Sequence, residues 1–172
     1  MKSEKGKIAL LVEDDYEDLE LWYPYYRLIE EGYSPMIIGP GTKVRYLSKH
    51  GYEANVGLDV KDAKVADFVA LIIPGGFAPD RIRRHGSMTQ FVHDFFETGK
   101  TVGAICHAAS VLVSANVLKG KTVTCFFSIK DDVINAGARY VDEEVVVDGN
   151  LITSRRPSDL PAFMRAIIAS LA

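Results

Sequence analysis

Cys106 and His107 stand together between an apolar run, Thr101 to Ile105, and a run of small and aliphatic residues, Ala108 to Val113. The first reads as a buried strand and the second as a helix packed on it. No glycine, proline or polar spacer separates them, so the thiol would occupy a sharp strand-to-helix turn. The first N–H groups of a helix lack intrahelical partners and, with its dipole, favour negative charge. A thiol placed there is expected to ionise below the usual value of about 8.5 and to serve as a nucleophile. A buried structural cysteine beside a hydrogen-bonded histidine is the competing reading of the same residues.

Two further stretches could meet that turn. Lys7 to Val12 reads as a buried strand that runs straight into an acidic turn, Glu13-Asp14-Asp15, and then to Glu17. A carboxyl at Glu17 could lie beside the thiol; two anions in contact repel, so the pair would share a proton near neutrality. Equally, Glu17 could be a first-turn glutamate that only favours its helix dipole. Phe68 to Ile73 reads as another buried strand, closed by Pro74-Gly75-Gly76. Glycines without a Cβ let backbone approach a ligand, and a glycine N–H with that of His107 could hold an oxyanion. His107 itself can act as a base only if the turn brings its ring back to the crevice and a third group orients it. His50, His85 and His93 show no partner pattern and read as surface residues. Zinc-ligand spacing, phosphate-binding loops and dinucleotide fingerprints are absent, so no metal and no cofactor is expected.

The elements that must position these residues alternate. A helix is expected from about Glu17 to Glu31, with Leu19, Trp22 or Tyr23, Tyr26 and Ile29 inward, Pro24 bending it and Gly32 ending it. Ser34 to Gly39 reads as a strand, and Val44 to Val56 as an irregular hairpin. Ser87 with Gln90 has the spacing of a capping box for a helix that buries Met88, Phe91, Val92 and Phe95. Ser128 with Asp131 suggests another helix start, burying Ile129, Val133 and Ile134. Glu143 to Thr153 reads as a hairpin around Asp148-Gly149-Asn150. Ser158 should cap a last helix on Leu160, Phe163, Met164, Ile167, Ile168 and Leu171, with Pro161 in its first turn. Buried strands alternating with amphipathic helices imply a parallel α/β sheet covered on both faces, with ligands at the carboxyl ends of its strands.

Composition narrows the function. The 172 residues fit a single domain, 1–172, and 48% hydrophobic with 25% charged residues is ordinary for a globular protein. A formal charge of −3 gives no reason to expect nucleic acid as the main partner. The basic run Arg81 to His85 reads as a solvated helix face or a subunit contact. Two cysteines make no disulfide framework, and no apolar stretch is long enough for a membrane span, so a reduced, cytoplasmic setting is expected.

The set DDYEDLEL, Pro74-Gly75-Gly76, AICHAAS, INAGARYVDEEVVVDGNLITSR and PSDLPAF, in this order, resembles the ThiJ/PfpI superfamily, nearest to its PfpI-type intracellular proteases and deglycases. The resemblance implies a flavodoxin-like three-layer sandwich, similar to class I glutamine amidotransferases. It implies Cys106 as nucleophile, Glu17 as the carboxyl bonded to it, and the Gly76 and His107 N–H groups as the oxyanion site. It also implies His107 as a catalytic histidine oriented by Asp80 of a neighbouring subunit, and hence a homo-oligomer, a dimer or a hexamer of dimers. Two departures bear on substrate fit: Ala108-Ala109 stand where the branch has Gly-Pro, and Phe126 where some relatives have tyrosine.

Three functions share this thiol. The first is a cofactor-independent enzyme converting reactive carbonyls such as methylglyoxal, or their adducts on proteins, to hydroxy acids such as lactate. The second is an intracellular cysteine peptidase. The third is a non-enzymatic redox sensor or chaperone whose Cys106 is oxidised.

Overall fold

In the computed structural model, which describes residues 5–172, the apolar runs pair as one seven-stranded sheet. The elements in chain order are β1 (Lys7–Leu11), α1 (Asp18–Glu30), β2 (Ser34–Gly39), β3 (Arg45–Leu47), β4 (Glu53–Asn55), β5 (Leu58–Asp59) and β6 (Phe68–Ile73). Next come α2 (Ala78–Ile82), α3 (Gly86–Glu97), β7 (Thr101–Ile105), α4 (Ala109–Ser114), β8 (Thr122–Val123), α5 (Lys130–Asn135) and β9 (Arg139–Tyr140). The chain closes with β10 (Val145–Asp148), β11 (Leu151–Ser154) and α6 (Leu160–Ser170). The sheet order is β10-β11-β7-β6-β1-β2-β5, parallel except where β10 turns back on β11. Two small two-stranded sheets, β3-β4 and β8-β9, stand outside it.

The expected three-layer α/β fold is present. Helices α1 and α6 pack together on one side, and α3, α4, α2 and α5 make the second group. The inner strands β1, β6 and β7 are almost wholly buried, as continuous Val, Ile, Leu and Ala runs require when both faces are covered. Gly103 sets the distance to α6: a Cβ there would lie 2.7 Å from Ile167 Cδ1 and 3.0 Å from Phe163 Cζ. The order of the strands brings the carboxyl ends of β1, β6 and β7 side by side. Those ends carry the acidic turn, the glycine pair and Cys106.

Several local expectations are corrected. Helix α1 buries Glu20, Leu21, Pro24 and Leu28, while Leu19, Tyr23, Tyr26 and Ile29 are exposed. The aromatic stripe therefore faces outward, where Trp22 packs on Tyr25, Tyr26 and Tyr52. None of the three serines forms its expected cap; Ser128 lies in a short turn ahead of α5, whose N-cap is Ile129. His85 is the N-cap of α3 and Gln90 bonds Asp94 instead, while Ser158 sits inside a short turn ahead of α6. Ile134 of α5 also points outward. The three other histidines have partners: His50 Nδ1 lies 2.7 Å from Asp18, His85 Nε2 2.8 Å from the buried Glu13, and His93 Nδ1 2.9 Å from the Ala115 carbonyl. None of the described helices is long and apolar enough to cross a membrane.

Phe163 is fully buried at the contact of α6 with β7. Phe163→Ala should cost about 3–5 kcal/mol, because this rigid layer cannot close the void. Urea unfolding followed by circular dichroism measures it; a loss below about 1 kcal/mol would mean that α6 is not seated as described.

Candidate active site

Cys106 adopts φ 63°, a left-handed conformation that costs a non-glycine residue about 1–2 kcal/mol. The strain is held by β7 on one side and by the Phe126 N–H, which donates to the Cys106 carbonyl at 3.2 Å. It turns the thiol out of the strand direction, so that the buried sulfur meets a cavity of about 420 Å³ at the carboxyl edge of the sheet. The N–H groups of His107 and Gly76 are directed at the sulfur. The helix that follows is short; after one turn of 3-10 helix, α4 covers only Ala109–Ser114.

The carboxyl beside the thiol is Glu20, not Glu17. Glu20 is fully buried on the inner face of α1 and accepts the Gly75 N–H at 2.8 Å through Oε2. Its Oε1 has no partner other than the neighbouring thiol. Glu17, one turn earlier, lines the cavity but binds the Lys49 ammonium at 2.7 Å. A helix places residues three apart on adjacent ridges, so one turn separates the acid at the cavity mouth from the acid against the sulfur. Gly75 has the space of no other residue: a Cβ there would collide with Glu20 Oε2 and come within 2.7 Å of Cys106 Cβ. Because its N–H is engaged by Glu20, Gly75 positions the acid, and the Gly76 and His107 N–H groups remain as the candidate oxyanion donors.

Burial pushes the Glu20 carboxyl up to about 8, with the Gly75 N–H working against it. Burial and then the Glu20 carboxylate push the Cys106 thiol up to about 12, opposed by the His107 and Gly76 N–H groups and by Lys49. The expected easy ionisation is thus reversed in the resting site, because desolvation outweighs the few amides that face the sulfur. Below about pH 8 both groups keep their protons, above it the pair retains one between them, and the two titrate as a coupled unit. Protonating Glu20 removes the like charge and leaves burial as the one cause that still opposes the thiolate.

His107 turns back toward the crevice. Its Nδ1 lies 3.3 Å from the sulfur and its Nε2 3.1 Å from Ser128 Oγ. The ring is held against Phe126 at 4.9 Å between centroids, with Phe77 beyond at 6.3 Å. Burial and the nearby Lys49 lower its pKa, so the neutral imidazole prevails. Within one chain, then, Ser128 is the third group. Asp80 is exposed on α2 and pairs with Arg84 at 2.5 Å.

The acidic turn is consumed structurally. Glu13 pairs with His85, Asp14 with Lys43, and Asp15 with Arg81. Tyr16 bridges to Gly76 on one side and to Ser48 on the other, drawing Lys49 to the site. Glu17, Asp18 and His50 each present an atom within 4.8 Å of the others. Lys49 on Glu17 and Ser48 on Asp18 already occupy those oxygens, and this donor set is poorly suited to a cation. Sequence reasoning missed Glu20, Lys49, Ser128 and Arg156. Glu20 alone left a signal: it lies in register with Leu21, Pro24 and Leu28, the true apolar face.

Iodoacetamide should label Cys106 in preference to the more deeply buried Cys125, because Cys106 keeps some exposure and lines the catalytic cavity beside N–H donors. Glu20→Gln should move the midpoint of the labelling profile about one unit toward lower pH, and Glu17→Gln by less than half as much. A larger shift from Glu17→Gln would return the proton-sharing role to Glu17.

Residues 6–170 match the DJ-1/PfpI family. Deglycase PfpI of Pyrococcus furiosus is 44% identical over 165 residues, 96% of this chain and 99% of the relative. YraA of Bacillus subtilis, named as a candidate cysteine protease, is 45% identical over 92% of this chain and 94% of its own. Among solved structures, a two-domain protein of Anabaena variabilis with DJ-1/ThiJ/PfpI-like and ferritin-like domains superposes with a TM-score of 0.94 at 41% identity. It covers 96% of this chain, which spans about half (48%) of that longer protein. With its fold, its elbow cysteine and these relatives, the chain belongs to the DJ-1/PfpI family.

Proposed function

We propose that this protein is a cysteine-dependent, cofactor-independent enzyme acting on reactive carbonyls in the deglycase manner, on methylglyoxal or its adducts with amines and thiols. One observation carries the reading: a sulfur that faces two backbone N–H donors and lies against a buried, proton-holding carboxyl, within a cavity. The name of the Pyrococcus furiosus relative supports it.

The chemistry balances without an oxidant. Where Glu20 is ionised, as it becomes toward pH 8, the Cys106 thiol passes its proton to that carboxylate as the sulfur adds to the aldehyde carbon, and the oxyanion is held by the Gly76 and His107 N–H groups. Where the substrate is an adduct, the amine or thiol carrier leaves with a proton. Moving the hydrogen of the former aldehyde carbon to its neighbour, as a proton relayed by Glu20 or His107, oxidises the first carbon and reduces the second. The product is an enzyme thioester of a 2-hydroxy acid. Water then cleaves it, releasing lactate and restoring the thiol.

A peptidase is the second reading, favoured by His107 Nδ1 at 3.3 Å from the sulfur and by the name of the Bacillus subtilis relative. There the same sulfur would form an acyl-enzyme, with His107 protonating the leaving amine. Oxidation of Cys106 as the main role is the third, and it needs no substrate cavity.

Methylglyoxal consumption with lactate release, assayed beside cleavage of fluorogenic peptides, separates these readings. Cys106→Ala should abolish turnover, and Glu20→Gln should lower kcat by about 10²–10⁴, the range of a lost general acid–base. Peptide cleavage without lactate would establish the peptidase; neither activity would leave the redox role.

The assembly belongs to the same proposal. The outer face of α1 leaves Leu19, Tyr23, Tyr26 and Ile29 exposed, a patch that a second copy would dry, and Asp80, held within the chain only by the exposed Arg84, would exchange that partner for one across an interface. We expect at least a dimer, in which Asp80→Ala keeps the assembly and loses activity. Sedimentation equilibrium with kinetics of the variant tests this, and a stable, fully active monomer would refute it.

A further inference from the structure

Arg156 lies between β11 and the turn that opens α6, on a wall common to two recesses. One is the catalytic cavity of about 420 Å³, and the other, of about 240 Å³, is reached past Phe126 and holds Tyr140 and Asp142. Its neighbour Arg155 is committed: its guanidinium donates to Asp159 at 2.8 Å and to Asp142 at 2.8 Å. The Arg156 guanidinium has no hydrogen bond or ion pair with the described residues.

The charges around the cavity make this difference count. Lys49 is neutralised by Glu17 at 2.7 Å. Glu20 and Cys106 hold at most one negative charge between them. Arg156 is therefore the cation that the cavity presents without an internal anion. A guanidinium is a planar fork that takes a carboxylate through two parallel bonds, and an exposed one gives up little solvation to do so. Size points the same way. A cavity of about 420 Å³ lies in the range that holds drug-sized ligands, far more than a three-carbon dicarbonyl fills. The remaining volume suits the carrier to which the aldehyde is attached.

We propose that Arg156 is a specificity-determining residue that binds a carboxylate on the carrier, so that the preferred substrates are aldehyde adducts of small thiols or amines bearing a free carboxylate, as amino acids do. This rests on the carbonyl reading of the site. The carboxylate anchors the carrier at the lip while the aldehyde-derived carbon meets Cys106.

The test compares methylglyoxal hemithioacetals of N-acetylcysteine and of its uncharged methyl ester, with wild type, Arg156→Ala and Arg156→Lys. Arg156→Ala should raise KM for the carboxylate carrier about five- to tenfold, less than a fully buried charge-assisted hydrogen bond because the guanidinium is exposed, with kcat within about twofold. The ester should be unaffected, and lysine should restore part of the loss. Equal effects on both carriers, or on neither, overturn the proposal. A second measurement needs no turnover: the ratio of Cys106 alkylation rates by iodoacetate and iodoacetamide should fall at least about fivefold in Arg156→Ala, through the iodoacetate rate alone. If that ratio falls while neither carrier is turned over, the carbonyl reading fails and the anion site stands. If the ratio does not move, the anion site fails whatever the turnover. Acetate and inorganic phosphate, compared as protectants against iodoacetate, separate the two anions; stronger protection by phosphate would overturn the assignment to a carboxylate.

Discussion

Glu20 and Cys106 share a space too small and too dry for two charges, and much of the local structure exists to keep them there. The carboxyl is fixed by the Gly75 N–H, and the sulfur by a left-handed elbow. Neither arrangement survives a side chain at Gly75, whose Cβ would occupy the contact between them. The end of β6, the start of α1 and the end of β7 are therefore one mechanical unit. A proton held in that unit stands at the wall of the cavity, within reach of whatever meets the sulfur.

The surrounding ion pairs explain how that unit stays in register. The three acids after β1 each take a different partner: His85 ahead of α3, Lys43 beside the β3-β4 hairpin, and Arg81 on α2. Individually such pairs contribute little at a surface. Together they tie three segments to one turn, and the turn hands the backbone to Tyr16, which bridges to Gly76 and Ser48. Lys49 is delivered to the cavity by that second bridge. The charged turn that looked like chemistry is thus scaffolding for the neighbouring glutamates.

How much was legible in the chain follows from what each feature depends on. Inner strands buried on both faces are continuous apolar runs, and their identity depends on little beyond that, so β1, β6 and β7 read correctly. Cys106 was recognisable because a strand, a thiol and a helix met without a spacer. The face of α1 was not, because Trp, Tyr and Leu can line either a core or an exposed surface, whereas Glu20 is buried only through the Gly75 amide and a thiol 86 positions on. Short strands such as β5, β8 and β9 hold two residues each and exist through their tertiary partners alone. The serine caps failed for a similar reason. Ser128 spends its hydroxyl on His107, and His85, tied to Glu13, takes the start of α3.

The same buried carboxyl that equips the site also weakens the fold. A glutamate raised from its ordinary value to about 8 binds its proton more tightly folded than unfolded. Its contribution to stability is therefore complete below about pH 4.5 and drains away as pH rises toward 8, where the unfolded chain gains by ionising. The thiol, raised as well, extends that slope toward higher pH. A leucine in place of Glu20 would remove the penalty but leave the Gly75 N–H unsatisfied and the sulfur without a proton partner. The fold tolerates the penalty because the layers on either side of β7 are densely apolar: Phe163 and Ile167 against one face, Val111 and Leu112 among the buried residues of α4. A strained, desolvated acid–thiol pair can persist only where such packing holds the surrounding backbone in place.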